Sequence, residues 1–329
     1  MLFKEIAPSE LKNAANLLQT AYWAEVKSNF GWKARAFEFN KERVLLLCRE
    51  LPFFGGLAYA PFGPGQEIAP DFFSKFAAGL ARALAKNTFL IQFDLPWEFS
   101  RKPELNLNGL KKAAADIQVP TTVVADISKS EDDILAAMKS KTRYNIRLSA
   151  KKEVIIRQCG AEELDRWYEM YKITAIRDRI SIHSFAYYKA VFSIAEKYDD
   201  IQIRLYLAEH EDDLLAGIIV VFYGDRATYL YGASSDKKRN LMPAYGLQWK
   251  AILDAKALGC KEYDFFGIPD SGDESDQMNG LYRFKTGFGG EIVYRPGCWD
   301  FPVMKLKYSL FCLGMKLRTY YYKSWKKNK

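Results

Sequence analysis

Apolar positions along the first hundred residues switch between helical and strand spacing. The segments SELKNAANLLQTAYWAEVK and DFFSKFAAGLARALAKN carry apolar residues at helical spacing, so each is predicted to form a helix. Between them, RVLLLCRELPFFGGLAYAPFG predicts two strands around a turn. TFLIQFDLP then predicts a buried strand that Pro96 ends. This part of the chain is therefore predicted to mix helices and strands.

A second cycle of the same kind follows from Ser130 onward. Ser130 precedes three acidic residues, a helix-start signal for a segment that runs to about Ala150. The strand VIIRQC, the helices AEELDRWYEMYKITAIRD and SFAYYKAVFSIAEKY, and the strands IRLYLAE, LLAGIIVVFYG and RATYLYGAS come next. A polar loop, SDKKRNLMPA, leads to the helix YGLQWKAILDAKALG and the strand EYDFFGI. Two such cycles predict an α/β protein built from two layered units.

The order of strand, polar loop and helix at RATYLYGAS, SDKKRNLMPA and YGLQWKAILDAKALG is typical of an anion site. Free N–H groups at the start of a helix and the helix dipole both favour negative charge. An ordinary crossover connection has the same order, so the pattern leaves both readings open.

Composition narrows the class of protein. With 329 residues, of which 49% are hydrophobic, the chain is long enough for a large core and for two domains. The five cysteines are scattered without CxxC spacing, so we expect neither disulfides nor a zinc site, and no metal or organic cofactor is indicated. The first residues lack a basic stretch followed by an apolar one, and no window approaches eighteen apolar residues. A cytoplasmic protein is therefore predicted.

Charge is concentrated at the end of the chain. Residues 301–329 contain no acid, and their charge of +8 equals the net charge of the whole chain. Apolar residues in this tail stand at spacings compatible with an amphipathic helix, so peripheral contact of 301–329 with the inner face of an anionic membrane is one prediction. The alternatives are a solvated, frayed tail and a helix packed on the first domain.

A second basic segment lies between residues 139 and 152, which contain no acid and one interleaved aromatic residue, Tyr144. A basic helix face with an aromatic residue suits tracking of RNA phosphates, although a merely solvated helix has the same composition. The six cations of this segment are Lys139, Lys141, Arg143, Arg147, Lys151 and Lys152.

The segment LYRFKTGFGGE places Lys285 between Phe284 and a glycine-rich run. A lysine in such a setting either holds its ammonium in a poorly hydrated pocket or covers apolar surface with its stem while the head reaches solvent. The sequence argues against covalent catalysis by a serine or cysteine nucleophile, because the chain has only two histidines and no GxSxG motif.

Seven stretches, spread in order over nearly the whole chain, carry a family resemblance. They are WAEVKSNFGW, YAPFGP, FDLP, KTRYNIRLSAKK, YLYGASSDKKRNLMPAYGLQW, YDFFGIP and LYRFKTGFGG. Together they resemble the FemABX family of peptidoglycan bridge-forming aminoacyltransferases, whose members resemble two fused acetyltransferase-like (GNAT) domains. The resemblance implies an acceptor-binding domain of residues 1–130 plus 297–329 and a domain of residues 131–296 on the aminoacyl-tRNA side. The long helical arm of some members is not visible, so the chain looks like the compact members.

The resemblance also implies a reaction. Such enzymes move an amino acid from its tRNA ester to an amine on the stem peptide of UDP-MurNAc-peptide or lipid II, without ATP. Lys285 would then stabilise the tetrahedral oxyanion, with Phe284 limiting water. Asp94, in FDLP, would accept the proton of the amine or orient the stem peptide, although an Asp before Leu-Pro is also a good turn former.

The resemblance further implies a set of substrate-binding residues. By this resemblance, His183 and Tyr187 stand where the family has an Arg four residues before a Tyr, and a neutral imidazole holds a diphosphate less strongly than a guanidinium. Arg177, Arg179 or Arg239 could compensate. The tyrosines of the set are equally compatible with core packing. The full set is Lys27, Tyr59, His183, Tyr187, Arg239, Tyr245, Tyr282 and Phe284.

Two other functions stay open at this point. A CoA-dependent N-acyltransferase would bind a pyrophosphate at the loop before the helix that starts near Tyr245, but RNLMPA lacks the glycines that close backbone approach requires. A non-catalytic module that binds RNA or a membrane would explain the basic segments, but it would not explain the motifs FDLP and RFKTGFGG.

Overall fold

The computed structural model describes residues 2–269 and 278–327. Within these ranges the chain alternates helices and strands, as the apolar pattern predicts. The strands are β1 (Lys4–Ile6), β2 (Lys33–Phe39), β3 (Glu42–Leu51), β4 (Gly55–Ala60), β5 (Thr88–Leu95), β6 (Lys111–Lys112), β7 (Thr121–Asp126), β8 (Ile155–Cys159), β9 (Ile201–His210), β10 (Asp213–Tyr223), β11 (Arg226–Ser234), β12 (Glu262–Gly267), β13 (Glu291–Tyr294) and β14 (Gly297–Pro302). The α-helices are α1 (Ala21–Ser28), α2 (Pro70–Ala83), α3 (Glu131–Ala137), α4 (Ser140–Lys151), α5 (Leu164–Asp178), α6 (Phe185–Ala195), α7 (Pro243–Ala257), α8 (Asn279–Thr286) and α9 (Lys305–Lys327).

The chain forms two compact units, each built on one seven-stranded sheet. The first unit is Met1–Pro120 with Arg295–Lys329, and the second is Thr121–Tyr294. The boundary lies at 120/121, where the sequence led us to expect 130/131, because β7 pairs with β12 and β13 in the second sheet.

The first sheet has the order β1-β2-β3-β4-β5-β14-β6. Its neighbours are antiparallel except for β4 and β5, which run parallel and are connected through α2. On α2, Phe73, Phe76 and Leu80 are buried at helical spacing on one face. The Phe73 ring lies 5.1 Å from the ring of Phe93 on β5, edge to face. This aromatic layer holds the crossover helix against the parallel pair.

The second sheet has the order β13-β7-β12-β11-β10-β9-β8. Again one pair of neighbours is parallel, β11 and β12, and α7 makes the crossover. α7 buries Leu247, Ala251 and Ile252, and it packs against α4 at Gly246. A Cβ at Gly246 would lie 2.8 Å from Ser149 Oγ, so only a glycine lets the two helices approach this closely.

Two predicted helices differ from the structure. The segment from Ser9 to Lys27 is α-helical only from Ala21 onward, after short 3-10 helical turns at Pro8–Glu10 and Leu17–Gln19. Before Ala21, the Asn16 side chain accepts a hydrogen bond from the Leu18 N–H, and Thr20 caps α1 by accepting from the Trp23 N–H. These local hydrogen bonds compete with a continuous helix. The segment from Ser130 to Ala150 forms two helices, α3 and α4, because the backbone is extended at Met138. The Ser130 cap of α3 is confirmed, since its Oγ accepts from the Asp133 N–H.

The basic tail contributes the end of β14 and then α9, so the predicted helix is confirmed within its described part. Over the residues that the structure describes, no helix has both the length and the apolarity needed to cross a membrane.

Candidate active site

Lys285 lies near the end of α8 and is only 5% exposed. Its Nζ donates hydrogen bonds to the backbone carbonyl oxygens of Gly267, at 2.8 Å, and Phe266, at 3.3 Å. Burial lowers the pKa of the Lys285 ammonium to about 7, and the Asp264 charge opposes this shift. The lysine head is therefore buried and does not reach solvent. This agrees with the first of the two interpretations of its sequence context, an ammonium held in a poorly hydrated pocket.

An irregular strand end presents these two carbonyls. The pairing of β12 with β7 shifts register between Asp264 and Gly267, and Phe266 has a φ of 57°. The Asp264 carboxylate fixes this bulge by accepting hydrogen bonds from the Phe266 N–H and the Thr122 hydroxyl. A bulge turns backbone groups out of the ladder, and here they meet the lysine.

One aromatic ring contacts the lysine ammonium, and further rings pack together nearby. The Lys285 Nζ lies 5.1 Å from the centre of the Tyr229 ring, within cation–π range. The Tyr245 ring contacts Phe284 edge to face at 5.0 Å and stacks on Phe288 at 5.8 Å. The aromatic residues keep this end of β12 poorly hydrated, which strengthens the electrostatic effect of any charge placed there.

A cavity of about 550 Å³ opens beside this cluster, at the end of β11 and the start of α7. Tyr229, Arg239, Tyr245 and Phe284 line it, whereas Lys285 and Tyr282 are not among the described residues that do. A cavity at the carboxyl end of a parallel pair is the usual place for a ligand in an α/β sheet. Lys285 thus lies directly behind the aromatic wall of the cavity.

Two arginines also line this cavity. The guanidinium of Arg177 forms ion pairs with Asp178 at 2.8 Å and Asp236 at 3.0 Å and also donates to Ser234 O. Arg239 is exposed and lies 3.8 Å from Asp236. Of the two, Arg239 has the more accessible head for an anionic ligand.

Asp94 is the corresponding buried group of the first unit, at the end of β5 and 1% exposed. Its Oδ2 accepts hydrogen bonds from the Tyr59 hydroxyl at 2.5 Å and from the Gln118 N–H at 3.1 Å. Its Oδ1 has no hydrogen-bond partner among the described residues. Burial raises the pKa of Asp94 to about 6, against the lowering effect of the two hydrogen bonds.

Tyr59 and Gln118 complete this cluster. The Gln118 side chain donates to the Tyr59 hydroxyl at 3.3 Å, and burial together with the Asp94 charge raises the pKa of Tyr59 well above its usual value. Tyr59 was predicted as a site residue and Gln118 was not. Gln118 donates its backbone N–H to Asp94, and any residue except proline can supply such a donor. The sequence at position 118 therefore did not indicate a site residue.

Lys27 follows Trp23 by four residues on α1, so the two side chains share one face of the helix. The Lys27 Nζ lies 4.7 Å from the Trp23 ring centre. Burial lowers the pKa of Lys27 to about 8.

His183 and Tyr187 are brought together in the second unit, with their rings stacked at 3.9 Å. His183 is exposed ahead of α6, while Tyr187 is buried in that helix. Neither is among the described residues that line the 550 Å³ cavity. The structure therefore brings four of the predicted residues, Arg239, Tyr245, Phe284 and Lys285, to the cavity or its wall and leaves this pair apart.

The basic segment of α4 divides into structural and exposed cations. The Arg143 guanidinium donates to the carbonyls of Leu135, Ala136 and Met138, so it caps the end of α3. Lys139 N donates to the Gly287 carbonyl oxygen at 2.9 Å, which ties the start of α4 to the end of α8. The exposed cations of the segment are Lys139, Lys141, Arg147, Lys151 and Lys152, and the Tyr144 side chain is exposed beside them.

Within the described ranges, no group of three or more His, Cys, Asp or Glu side chains is placed to hold a metal ion. The five cysteines are all free thiols.

Each unit is thus a mostly antiparallel sheet with one parallel pair and a crossover helix, which is a GNAT-like arrangement, and the chain belongs to the class of α/β proteins with two GNAT-like domains. Within that class the chain belongs to the FemAB family, whose model matches residues 104–211 and 202–315. It is an enzyme of the aminoacyltransferase type.

Known proteins of this type are similar along most of their length. The lipid II:glycine glycyltransferase of Staphylococcus aureus (strain COL) is 23% identical, with 90% of each chain aligned. The crystal structure of FemX superimposes with a TM-score of 0.77, at 20% identity, over 94% of this chain and 99% of FemX. The C-terminal domain of a putative lysylphosphatidylglycerol synthetase from Agrobacterium fabrum has a TM-score of 0.53, at 10% identity, over 88% and 90% of the two chains.

Proposed function

We propose that this enzyme transfers an amino acid from aminoacyl-tRNA to an amine on the stem peptide of a peptidoglycan precursor, and so builds interpeptide bridges of the cell wall. Similarity to lipid II:glycine glycyltransferases over 90% of both chains supports the acceptor class, with lipid II ahead of UDP-MurNAc-peptide. The observation that carries the proposal is Lys285, a lysine held in an apolar setting directly behind a cavity of ligand size.

The reaction requires two kinds of help from the protein. The amine nitrogen attacks the ester carbonyl, a tetrahedral oxyanion forms, and the carbon–oxygen bond to the tRNA ribose then breaks. The amine loses a proton, and the ribose oxygen gains one. A cation that stabilises the oxyanion and a group that accepts or relays the amine proton are therefore sufficient, because the ester is already activated.

Lys285 suits the first task. Two of its three ammonium donors are used by the carbonyls of Phe266 and Gly267, and the third has no hydrogen-bond partner among the described residues, so we assign it to the developing oxyanion. These carbonyls orient the ammonium before substrate arrives, and the Phe284 and Tyr229 rings limit water around it. A cation fixed in this way costs little reorganisation when the negative charge develops.

Asp94 suits the second task in the unit that we assign to the acceptor. A carboxyl group with a pKa of about 6 is ionised at neutral pH and can still take up a proton. Its Oδ1, which has no partner among the described residues, is the atom that would accept a hydrogen bond from the stem-peptide amine. Tyr59 and Gln118 hold the other oxygen and fix the orientation of the carboxylate.

The remaining predicted residues belong to substrate binding. We assign Arg239 and Tyr245, which line the cavity, to substrate binding in the second unit, together with Tyr282 on α8, which is not among the described residues of that lining. We assign Lys27 to the phosphates of the acceptor. His183 and Tyr187 form a stacked pair that we keep as a weaker candidate for the same phosphates.

We assign the exposed cations of α4 to the phosphates of aminoacyl-tRNA. Lys141, Arg147, Lys151 and Lys152 present their charges to solvent, whereas Arg143 is used within the protein. Lys139 lies at the N-cap of the same helix.

The test is a transfer assay with separate donors and acceptors. Purified enzyme is incubated with charged tRNA and with either lipid II or UDP-MurNAc-peptide, and the product is identified by mass. A parallel reaction contains acetyl-CoA in place of charged tRNA. We expect transfer from charged tRNA only, since α7 begins with Pro243, which has no N–H for a pyrophosphate. Acyl transfer from acetyl-CoA without transfer from charged tRNA would overturn the proposal.

A further inference from the structure

The C-terminal helix α9 has two apolar faces, and only one of them is covered. On the covered face Tyr308 is buried and its hydroxyl donates to Asp300 Oδ2 at 3.0 Å. On the same face the Phe311 ring lies 5.5 Å from Phe89 and 5.7 Å from Phe54. This contact fixes the helix on the first unit and decides which side chains face outward.

The outward face carries four leucines. Leu306, Leu310, Leu313 and Leu317 are between 53% and 77% exposed. Their spacing of four, three and four residues puts them within about 60° of one another around the helix, on the side opposite Phe311. Isolated exposed leucines are ordinary, but a row over three turns is an unpartnered apolar surface.

Cations flank this row on both sides. At about 100° per residue, Lys305 and Lys316 project about 100° to one side of the leucines, and Lys307 and Arg318 project about 100° to the other. No acidic residue occurs anywhere between 301 and 329. An apolar stripe between two basic rows is the pattern of a helix that lies in the plane of an anionic membrane surface, with its leucines below the headgroups.

The turn between β3 and β4 adds a second apolar group beside the helix. Phe53 is 100% exposed and has a φ of 69°, a backbone conformation that bulky residues rarely adopt. Its neighbour Phe54 contacts Phe311, and the Lys307 Nζ lies 3.6 Å from where a Cβ of Gly55 would stand. The turn that carries this exposed ring therefore lies next to Lys307 on α9.

We propose that α9 and the β3–β4 turn form a membrane-docking face that binds anionic phospholipid bilayers through Leu306, Leu310, Leu313, Leu317 and Phe53. The sequence left packing on the first domain and binding to a membrane as alternatives. In this proposal both hold, on opposite faces of one helix. The proposed surface belongs to the first unit, whereas the residues that line the 550 Å³ cavity belong to the second. The proposal does not depend on the proposed function, because binding is measured without any substrate.

The experiment is vesicle flotation of the full chain. Two kinds of vesicle are compared, pure phosphatidylcholine and phosphatidylcholine with about a third phosphatidylglycerol, in about 0.1 M and about 0.5 M salt. We expect flotation only with the anionic vesicles and weaker flotation at the higher salt. Absence of flotation with the anionic vesicles at low salt would overturn the proposal, whatever the enzyme does in a transfer assay.

Variants test the face itself. Leu310→Glu with Leu313→Glu should weaken partitioning at least about tenfold, because two apolar side chains are lost from the bilayer. Lys305→Gln with Lys316→Gln should weaken it about fivefold per cation. The matched control is Ile176→Glu, which replaces an exposed apolar side chain on α5 of the other unit and should leave partitioning unchanged. Circular dichroism of each variant should match that of the parent, since all these side chains are exposed.

Two further results would contradict the proposal. Flotation that depends on phosphatidylglycerol but survives the double leucine variant would show that another surface binds the lipid. A dimer in sedimentation velocity that the same variant dissociates would show that the leucine row is a seam between two copies of this chain.

Discussion

The two units place buried groups of opposite charge at the same point of the same fold. In each sheet one parallel pair is joined by a crossover helix, α2 between β4 and β5 and α7 between β11 and β12. In each, a buried ionisable group stands at the carboxyl end of the strand after that helix. In the first unit the group is Asp94, on the strand itself. In the second it is Lys285, which reaches the strand end from α8.

Burial disfavours the charged form of both groups, but their surroundings differ. The Asp94 pKa rises to about 6 and the Lys285 pKa falls to about 7, so both groups titrate near neutral pH. Lys285 has its carbonyl partners in place, whereas one oxygen of Asp94 has none among the described residues. The lysine thus resembles a preorganised electrostatic group, and the aspartate resembles one that waits for a substrate donor. A repeated fold sets where a group stands and not which chemistry it performs.

Loss of the lysine charge should have the largest effect. Lys285→Met keeps an unbranched side chain one atom shorter and removes the cation, so transfer should fall about 10²–10³-fold, the scale for loss of one oxyanion donor. The measurement is kcat with saturating charged tRNA and acceptor. Lys189→Met, which removes an exposed lysine from α6 in the same unit, is the matched control and should leave kcat unchanged. A Lys285→Met enzyme that retains near-parental turnover would remove the lysine from the mechanism.

The lowered pKa of Lys285 makes a separate prediction about stability. In the unfolded chain this lysine titrates near its ordinary pKa, well above the folded value of about 7. Between these two pH values the unfolded state binds more protons, so the free energy of unfolding rises with pH by up to about 1.4 kcal/mol per unit. Lys285→Met should lose this rise. Urea unfolding of the two proteins at several pH values from 7 to 10 measures the difference, and a difference that does not change with pH would mean that the ammonium is well hydrated.

Asp94 should appear in the pH dependence of the rate. If its carboxylate accepts the amine proton, kcat rises as pH increases through about 6, and Asp94→Asn removes that rise. Tyr59→Phe should move the rise to higher pH, because the hydrogen bond from Tyr59 lowers the pKa of Asp94. If Asp94 only orients the stem peptide, Asp94→Asn lowers kcat and the remaining profile keeps its shape. Parental rates and profiles in both variants would contradict either role.

The predictable parts of this molecule are those that local chemistry determines. The buried strand LIQFDL and the apolar surroundings of Lys285 follow from runs of apolar residues, and the Ser130 cap follows from its neighbours. A bulge turns the carbonyls of Phe266 and Gly267 toward Lys285. This bulge depends on pairing with β7, which is distant in sequence, so no local sequence pattern predicts it.

The same limit applies to the cations of α4. Sequence grouped six of them as one surface, but Arg143 is used to cap α3, because the chain breaks at Met138 and leaves carbonyls at that end. The predicted length of the first helix was too great, because the Asn16 and Thr20 side chains accept hydrogen bonds from backbone N–H groups that a continuous helix would use. Tertiary partners decide which polar residues remain available for a ligand.

The smallest expected effects concern substrate binding, and they test whether the two units divide the substrates between them. Lys141→Glu with Lys151→Glu reverses two exposed charges on α4 of the second unit and should raise KM for charged tRNA about tenfold while KM for the acceptor stays constant. The slope of log KM against log salt should fall by about 1 to 2 in the same variant, since each phosphate contact contributes slightly less than one.

Variants on the other side of the division complete this test. Lys27→Met in the first unit should raise KM for the acceptor alone.

Arg143→Ala should lower the free energy of unfolding by about 1 kcal/mol through loss of the α3 cap, with little change in either KM. Equal changes of both KM values in the Lys141 and Lys151 variant would mean that the basic face of α4 acts through the stability of the unit. A change confined to charged tRNA would place the donor on the second unit and leave Asp94 and Lys27 to the acceptor.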